Sequence, residues 1–114
     1  MPFIETKTTR EISAELEAVL RRELGSAVEI FKGKSERWLM LNFVGGSRMA
    51  FGGKTEPDCA MVSVELFGSA SEGEYDAFTA KVTEIISKEA GIPKDRIYVN
   101  YSEYTHWGFN GGNF

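Results

Sequence analysis

Cysteine and histidine are nearly missing from this chain: among 114 residues there is one of each, Cys59 and His106. A lone cysteine cannot form an internal disulfide, so stability does not depend on an oxidising compartment. A lone histidine leaves no histidine-based metal site and argues against a histidine dyad. No stretch approaches the ~18 apolar residues of a membrane span. Pro2 to Thr9 has no basic start followed by an apolar run, so the default expectation is a cytoplasmic protein, with non-classical secretion left open. Thirteen Lys and Arg against seventeen Asp and Glu give a formal charge of −4. With no basic cluster to override it, nucleic acid is not an expected partner. Gly45-Gly46-Ser47 and Gly52-Gly53 read as turns, since neither opens a helix with the lysine that a phosphate loop needs. What remains is ordinary for a soluble globular chain, 42% hydrophobic and 26% charged. That composition and length predict one domain over 1–114, burying roughly two-thirds of its unfolded surface.

Periodicity supplies the elements. Thr8-Thr9-Arg10-Glu11 fits a capping box, and Ile12, Leu16, Val19, Leu20 and Leu24 follow at helical spacing to about Ser26. Ser71-Glu72-Gly73-Glu74 is a second box, ahead of Tyr75, Phe78, Val82, Ile85 and Ile86, with Gly91 and Pro93 as stop signals. Strand patterns cover Phe3–Lys7, Trp38–Val44, Ala60–Phe67 and Arg96–Ser102. The order strand, helix, strand occurs twice, which predicts an α+β, two-layer protein. Two right-handed βαβ halves would form a four-stranded mixed sheet with both helices on one face. Gly33-Lys34-Ser35-Glu36-Arg37-Trp38-Leu39 and Gly91-Ile92-Pro93-Lys94-Asp95-Arg96-Ile97-Tyr98 occupy the same place in each half, a faint internal echo.

The strand alternation predicts which face is which. Leu39, Leu41, Phe43, Val62, Val64, Leu66, Ile97, Val99 and Tyr101 read as the face against the helices. The other face presents Trp38, Met40, Phe67, Tyr98, Asn42 and Asn100, with Glu65 as its one charge. A solvated face would be richer in charge. Self-association in a closed symmetric ring is the expected cover.

The candidate chemistry sits at the start. Met1-Pro2 places a small residue after the initiator, the setting in which that methionine is removed, and processing would leave Pro2 with a free secondary amine. A terminal amine titrates near ~8 when unperturbed, and burial or a nearby cation lowers it. Such a base suits general acid–base catalysis near neutral pH.

Pro2, Met49-Ala50-Phe51-Gly52-Gly53, Thr55-Glu56-Pro57, Asp95-Arg96-Ile97-Tyr98-Val99-Asn100-Tyr101 and the closing Trp107-Gly108-Phe109-Asn110-Gly111-Gly112-Asn113-Phe114 together resemble the macrophage migration inhibitory factor family. The resemblance runs nearly end to end, with a shift of one residue near Asp58. It implies a tautomerase-type fold, a homotrimer, and cofactor-independent keto–enol tautomerase activity on small aromatic α-keto acids such as phenylpyruvate, and on dopachrome. Carried over, it makes Pro2 the catalytic base, Lys34 the holder of the substrate carboxylate or developing enolate, and Phe67 a pocket residue through its backbone N–H and side chain. Tyr98 and Asn100 match the pair supplied by a neighbouring subunit. Phe109 falls where the family has tryptophan in the aromatic wall, with Trp107 just upstream sharing that role. Relatives carry Cys-x-x-Cys where this chain has Cys59-Ala60-Met61-Val62, so a two-cysteine redox cycle within the motif is rejected. No metal or other cofactor is expected. Family relatives are also credited with signalling, so the rival expectation is a secreted, cytokine-like ligand of a host receptor with incidental tautomerase activity. A third is a cousin that hydrates or decarboxylates unsaturated acids, for which Arg37 and Glu65 are the candidate extra charges.

Overall fold

The computed structural model describes residues 1–114. Its elements run β1 (Pro2–Thr8), α1 (Ala14–Ala27), β2 (Met40–Val44), β3 (Ala60–Phe67), α2 (Glu72–Ala90), β4 (Ile97–Tyr104) and a closing hairpin of β5 (Gly108–Phe109) and β6 (Gly112–Asn113). The sheet order is β2-β1-β3-β4. Strands β1 and β2 are parallel, as are β3 and β4, while β1 and β3 meet antiparallel. The two expected βαβ halves therefore lie side by side around the β1–β3 pair. The terminal hairpin is an addition that the period-2 patterns did not mark, its strands being two residues each.

Both helices cover one face. Ile4, Val62, Val64 and Leu66 from the sheet meet Leu20, Leu24, Phe78, Val82 and Ile86 in a single buried core. Truncating any such fully buried Leu or Ile to Ala is expected to cost ~2–5 kcal/mol. An aromatic cluster closes one end, where Phe31 packs at 4.6 Å from Phe78 and Tyr75 at 4.4 Å from Tyr101. The Tyr101 hydroxyl donates to the Tyr75 carbonyl and lies 2.7 Å from the Thr79 hydroxyl, so the buried phenol is satisfied.

The second helix starts as its sequence dictates. Ser71 Oγ accepts from the Glu74 N–H and the Glu74 carboxylate accepts from the Ser71 N–H, a complete capping box. It ends at Gly91, left-handed at φ 71°. The first helix corrects the expectation. It is capped by Ser13, whose hydroxyl accepts from the Leu16 N–H, and not by Thr8. Thr8 belongs to β1 and donates to the Cys59 carbonyl, while Thr9 bonds Asp58 and the Cys59 N–H. Those hydroxyls tie the end of β1 to the start of β3, a use that only the tertiary pairing offers them.

The internal echo is real in geometry. Gly33 and Gly91 both have positive φ, and each leads through a 3-10 turn, Glu36–Trp38 or Lys94–Arg96, into the last strand of its half. Trp38 thus lies in a turn, and β2 begins two residues later than its pattern suggests. In the second half the turn carries Arg96, a buried cation without a carboxylate partner. Its guanidinium donates to the carbonyls of Pro57, Asp58, Phe51 and Lys54 and so pins the 51–58 loop to the sheet. The uncovered sheet face also needs a correction: Glu5 and Lys7 of β1 share it, bonded to Asn42 and to each other. Charge is therefore not limited to Glu65, and the apolar part of the face lies toward Trp38 and Met40. No helix is long and apolar enough to cross a membrane.

Candidate active site

A cleft of about 280 Å³ opens at the N-terminal end of β1. Phe3 pairs with Met40 in the parallel register, so the turn entering β2 necessarily meets the start of β1. Met1, Pro2 and Phe3 form one wall; Arg37, Trp38, Leu39 and Met40 form the second; Trp107, Gly108 and Phe109 of the terminal hairpin form the third. The hairpin is held by aromatic contacts. Trp38 meets Phe109 edge-on with centroids 5.1 Å apart, and Phe109 stacks on Phe114 at 6.0 Å. Phe114 in turn packs on Phe67 at 5.7 Å, and its N–H donates to the Trp107 carbonyl.

Lys34 reaches this end of the sheet by a chain of local constraints. Phe31 is anchored in the aromatic cluster. The Lys32 N–H donates to the Glu74 carboxylate that also caps α2, and the Lys34 N–H returns to the Phe31 carbonyl. The left-handed Gly33 makes that tight turn possible. The Lys34 ammonium then donates to the Phe67 carbonyl at 2.9 Å and stands beside the chain's terminal amine. Burial, and then the charge of Lys34, pull that amine down from 8.0 to about 6. The amine is that of Met1; the Pro2 nitrogen is an amide while Met1 is attached. The Met1 amine therefore stands in, one residue outward, for the amine a processed chain would present. The Met1 carbonyl meanwhile accepts the Phe67 N–H at 3.1 Å.

Of the residues singled out from sequence, Pro2, Arg37, Trp107 and Phe109 line the cleft, and Lys34 and Phe67 adjoin it through the terminal amine and the Met1 carbonyl. Tyr98 and Asn100 are elsewhere. Pro2 is level with Leu66 on β3, whereas Tyr98 is level with Met61, five residues along the strand. At ~3.3 Å per residue that is ~16 Å for Tyr98; Asn100, level with Ser63, is three residues or ~10 Å along, and neither lines this cleft within one chain. Tyr98 is 58% exposed and rests on Phe51 at 4.8 Å. The sequence reading missed Phe3, Trp38, Leu39 and Met40 in the lining, and Phe114 beside it. Phe114 had one usable signal, a terminal aromatic after a Gly-Gly turn. A larger, more open hollow of about 540 Å³ lies at the far end of β1, with Arg48, Glu56 and Asp58 in its lining. It carries both signs of charge and none of the candidate residues. No three His, Cys, Asp or Glu side chains gather closely enough to hold a metal ion.

The description of one protein family, macrophage migration inhibitory factor, matches residues 1–114. Among solved structures, a crystal structure of Leishmania major MIF2 superposes with a TM-score of 0.93 at 33% identity, covering 100% of this chain and 97% of that one. A macrophage migration inhibitory factor of Xenopus laevis is 30% identical over 84 residues, 72% of each chain. A D-dopachrome decarboxylase of Bos taurus is 26% identical over 109 residues, 94% of this chain and 90% of that one.

Proposed function

The chain belongs to the macrophage migration inhibitory factor family and has the tautomerase-superfamily fold, and from that premise we propose that it is a cofactor-independent keto–enol tautomerase acting on phenylpyruvate- or dopachrome-type enols, with Pro2 as its base once Met1 is removed. The observation that carries the reading is the terminal amine held at the mouth of an aromatic cleft beside Lys34, with its affinity for protons lowered to about 6. Removal of Met1 has two consequences here. It turns the Pro2 nitrogen from an amide into a secondary amine, and it takes away the carbonyl that accepts the Phe67 N–H. A substrate oxygen can then take that N–H, with the Lys34 ammonium next to it.

The reaction moves one proton and needs no other reactant. The neutral Pro2 amine accepts the enol O–H proton while negative charge grows on the oxygen. Lys34 and the Phe67 N–H stabilise that charge. The Pro2 ammonium returns the proton to the α-carbon, leaving the ketone and the free amine. Trp38, Trp107 and Phe109 would hold the ring of the substrate and exclude water.

The working unit in this reading is a homotrimer. Met40 and Tyr98 are 66% and 58% exposed on the face the helices do not cover, and the outer edges of β2 and β4 have no partner strand. Packing of copies on that face would let the Tyr98 and Asn100 of one subunit approach the Pro2 of another, which their offsets of ~16 Å and ~10 Å along one sheet do not allow within a chain.

Ketonisation of phenylpyruvate by protein whose intact mass shows Met1 gone, compared with Pro2→Gly processed the same way, tests the reading. Wild type is expected to turn over, with the variant slower by about 10²–10⁴-fold. A Met1-free wild type without activity on phenylpyruvate or dopachrome would sink it.

A further inference from the structure

The walls of the cleft carry one charged side chain, and it is a cation that nothing neutralises. Arg37 lines the cleft opposite Pro2 and makes no ion pair or hydrogen bond within the chain. Its guanidinium instead lies 5.1 Å from the centre of the Trp38 ring, and that ring is braced edge-on by Phe109. The guanidinium thus rests against an aromatic ring, and its N–H groups have no acceptor within the chain. The neighbouring Glu36 does not supply one, because its carboxylate is folded against Gly25 of α1, in space that a side chain there would fill. Glu65, the acid across the sheet from Phe3, accepts the Tyr104 hydroxyl at 3.0 Å. No carboxylate appears in the lining at all. In a chain of net charge −4, the site therefore has Lys34 at its inner end and an unspent arginine on its wall.

We propose that Arg37 is a specificity-determining residue that makes this a dianion site, selecting enol acids that carry a second carboxylate at the end remote from the α-keto acid group. The inference rests on the tautomerase reading of the same cleft. A single carboxylate satisfies Lys34 and leaves Arg37 idle. A substrate with an aromatic or unsaturated spacer lying along Trp38 and Phe109 would present its far end to the guanidinium, whose planar fork binds carboxylate in two places at once. Because Arg37 is exposed, solvent screens the gain, and the expected preference is about threefold to tenfold, smaller in high salt.

Binding and turnover are separable in the test. Cinnamate and 4-carboxycinnamate are a monoanion and dianion of like shape with no enol to ketonise, and their Kd values can be measured by calorimetry on Met1-free protein. Phenylpyruvate and 4-carboxyphenylpyruvate report turnover. Wild type is expected to bind the dianion about three to ten times more tightly. Arg37→Gln should bring that ratio to about one, and Arg37→Lys should restore part of it. Equal binding of the two by wild type, or a ratio that persists in Arg37→Gln, overturns the proposal. So does dissociation of the wild-type assembly by Arg37→Gln on size exclusion, which would assign the residue to subunit contacts. Preference without turnover of either keto acid would support the ligand class and sink the tautomerase reading, so the two failures read differently.

Discussion

The pH at which the cleft works should be set by burial of the amine first and by Lys34 second. A cation beside an amine disfavours the ammonium, so the neutral base persists to lower pH than a free terminus would allow. Burial acts in the same direction and is the larger cause. If the processed Pro2 nitrogen, one residue inward, meets the same burial and the same cation, its shift runs in the same direction. The kcat/KM of wild type is therefore expected to rise with pH through an inflection below the ordinary ~8 of a free terminus. In Lys34→Gln the inflection should move up towards the ordinary ~8, because one of the two depressing causes is gone. The plateau should also fall by roughly a hundredfold, since the charge that stabilises the oxyanion is lost. An unmoved inflection in pH–rate profiles of the two proteins would remove Lys34 from the base's surroundings. At this scale the sequence was legible in placement, since Pro2 lines the cleft and Lys34 stands beside the terminal amine. It was silent where a side chain matters only by what it lies against. The idle guanidinium of Arg37 is invisible until Glu36 is seen turned onto α1.

Between the two helices lies a contact that opposes the fold at neutral pH. Glu23 of α1 faces Glu89 of α2, and Glu23 Oε2 is buried without a donor. The Glu89 carboxyl, burial and the charge of Glu89 together raise the Glu23 pKa, since only protonation lets the two carboxyls share a hydrogen bond. A carboxyl raised in the folded state binds its proton more tightly there than in the unfolded chain. Its favourable contribution is full below the unfolded value of ~4.3 and is lost as pH rises through the raised one. Glu23→Gln should therefore stabilise at pH 7 by on the order of 1 kcal/mol, allowing for solvent screening. The gain should shrink or vanish near pH 4. Urea unfolding at both pH values checks this, and an equal gain at both would point away from titration. The elements themselves show how far local signals carry. Ser71 and Glu74 cap α2 because both partners lie within one turn. Thr8 and Glu11 present the same spacing, yet the threonine hydroxyls go to Cys59 and Asp58, some fifty residues on. A box pattern cannot announce that a tertiary acceptor will compete for it.

For the whole molecule, the separation of Tyr98 from Pro2 makes a shared site testable by mixing. Pro2→Gly and Tyr98→Phe subunits, each slow alone, should regain activity when co-assembled, because some interfaces then combine an intact Pro2 with a neighbour's intact Tyr98. Random mixing in equal amounts of a closed trimer restores about a quarter of the sites, half of the subunits supplying each residue. No regain in a verified mixed oligomer would place Tyr98 outside the pocket. Much of this molecule was determined by its sequence alone. The order of the two helices and four sheet strands, the two βαβ halves, the paired glycine turns at Gly33 and Gly91 and the core faces of β2, β3 and β4 all follow from interactions a few residues long or from periods of two and 3.6. The site was determined only in part. Pro2 and Lys34 can be read in order along the chain. The tertiary structure decided that Phe114 folds back onto Phe67, that Arg37 stands unpaired on Trp38, that burial and Lys34 together lower the Met1 amine to about 6, and that Tyr98 lies a strand's length away. Each of these depends on strand register and on contacts between segments distant in sequence, where burial and charge are set by neighbours the local pattern does not contain.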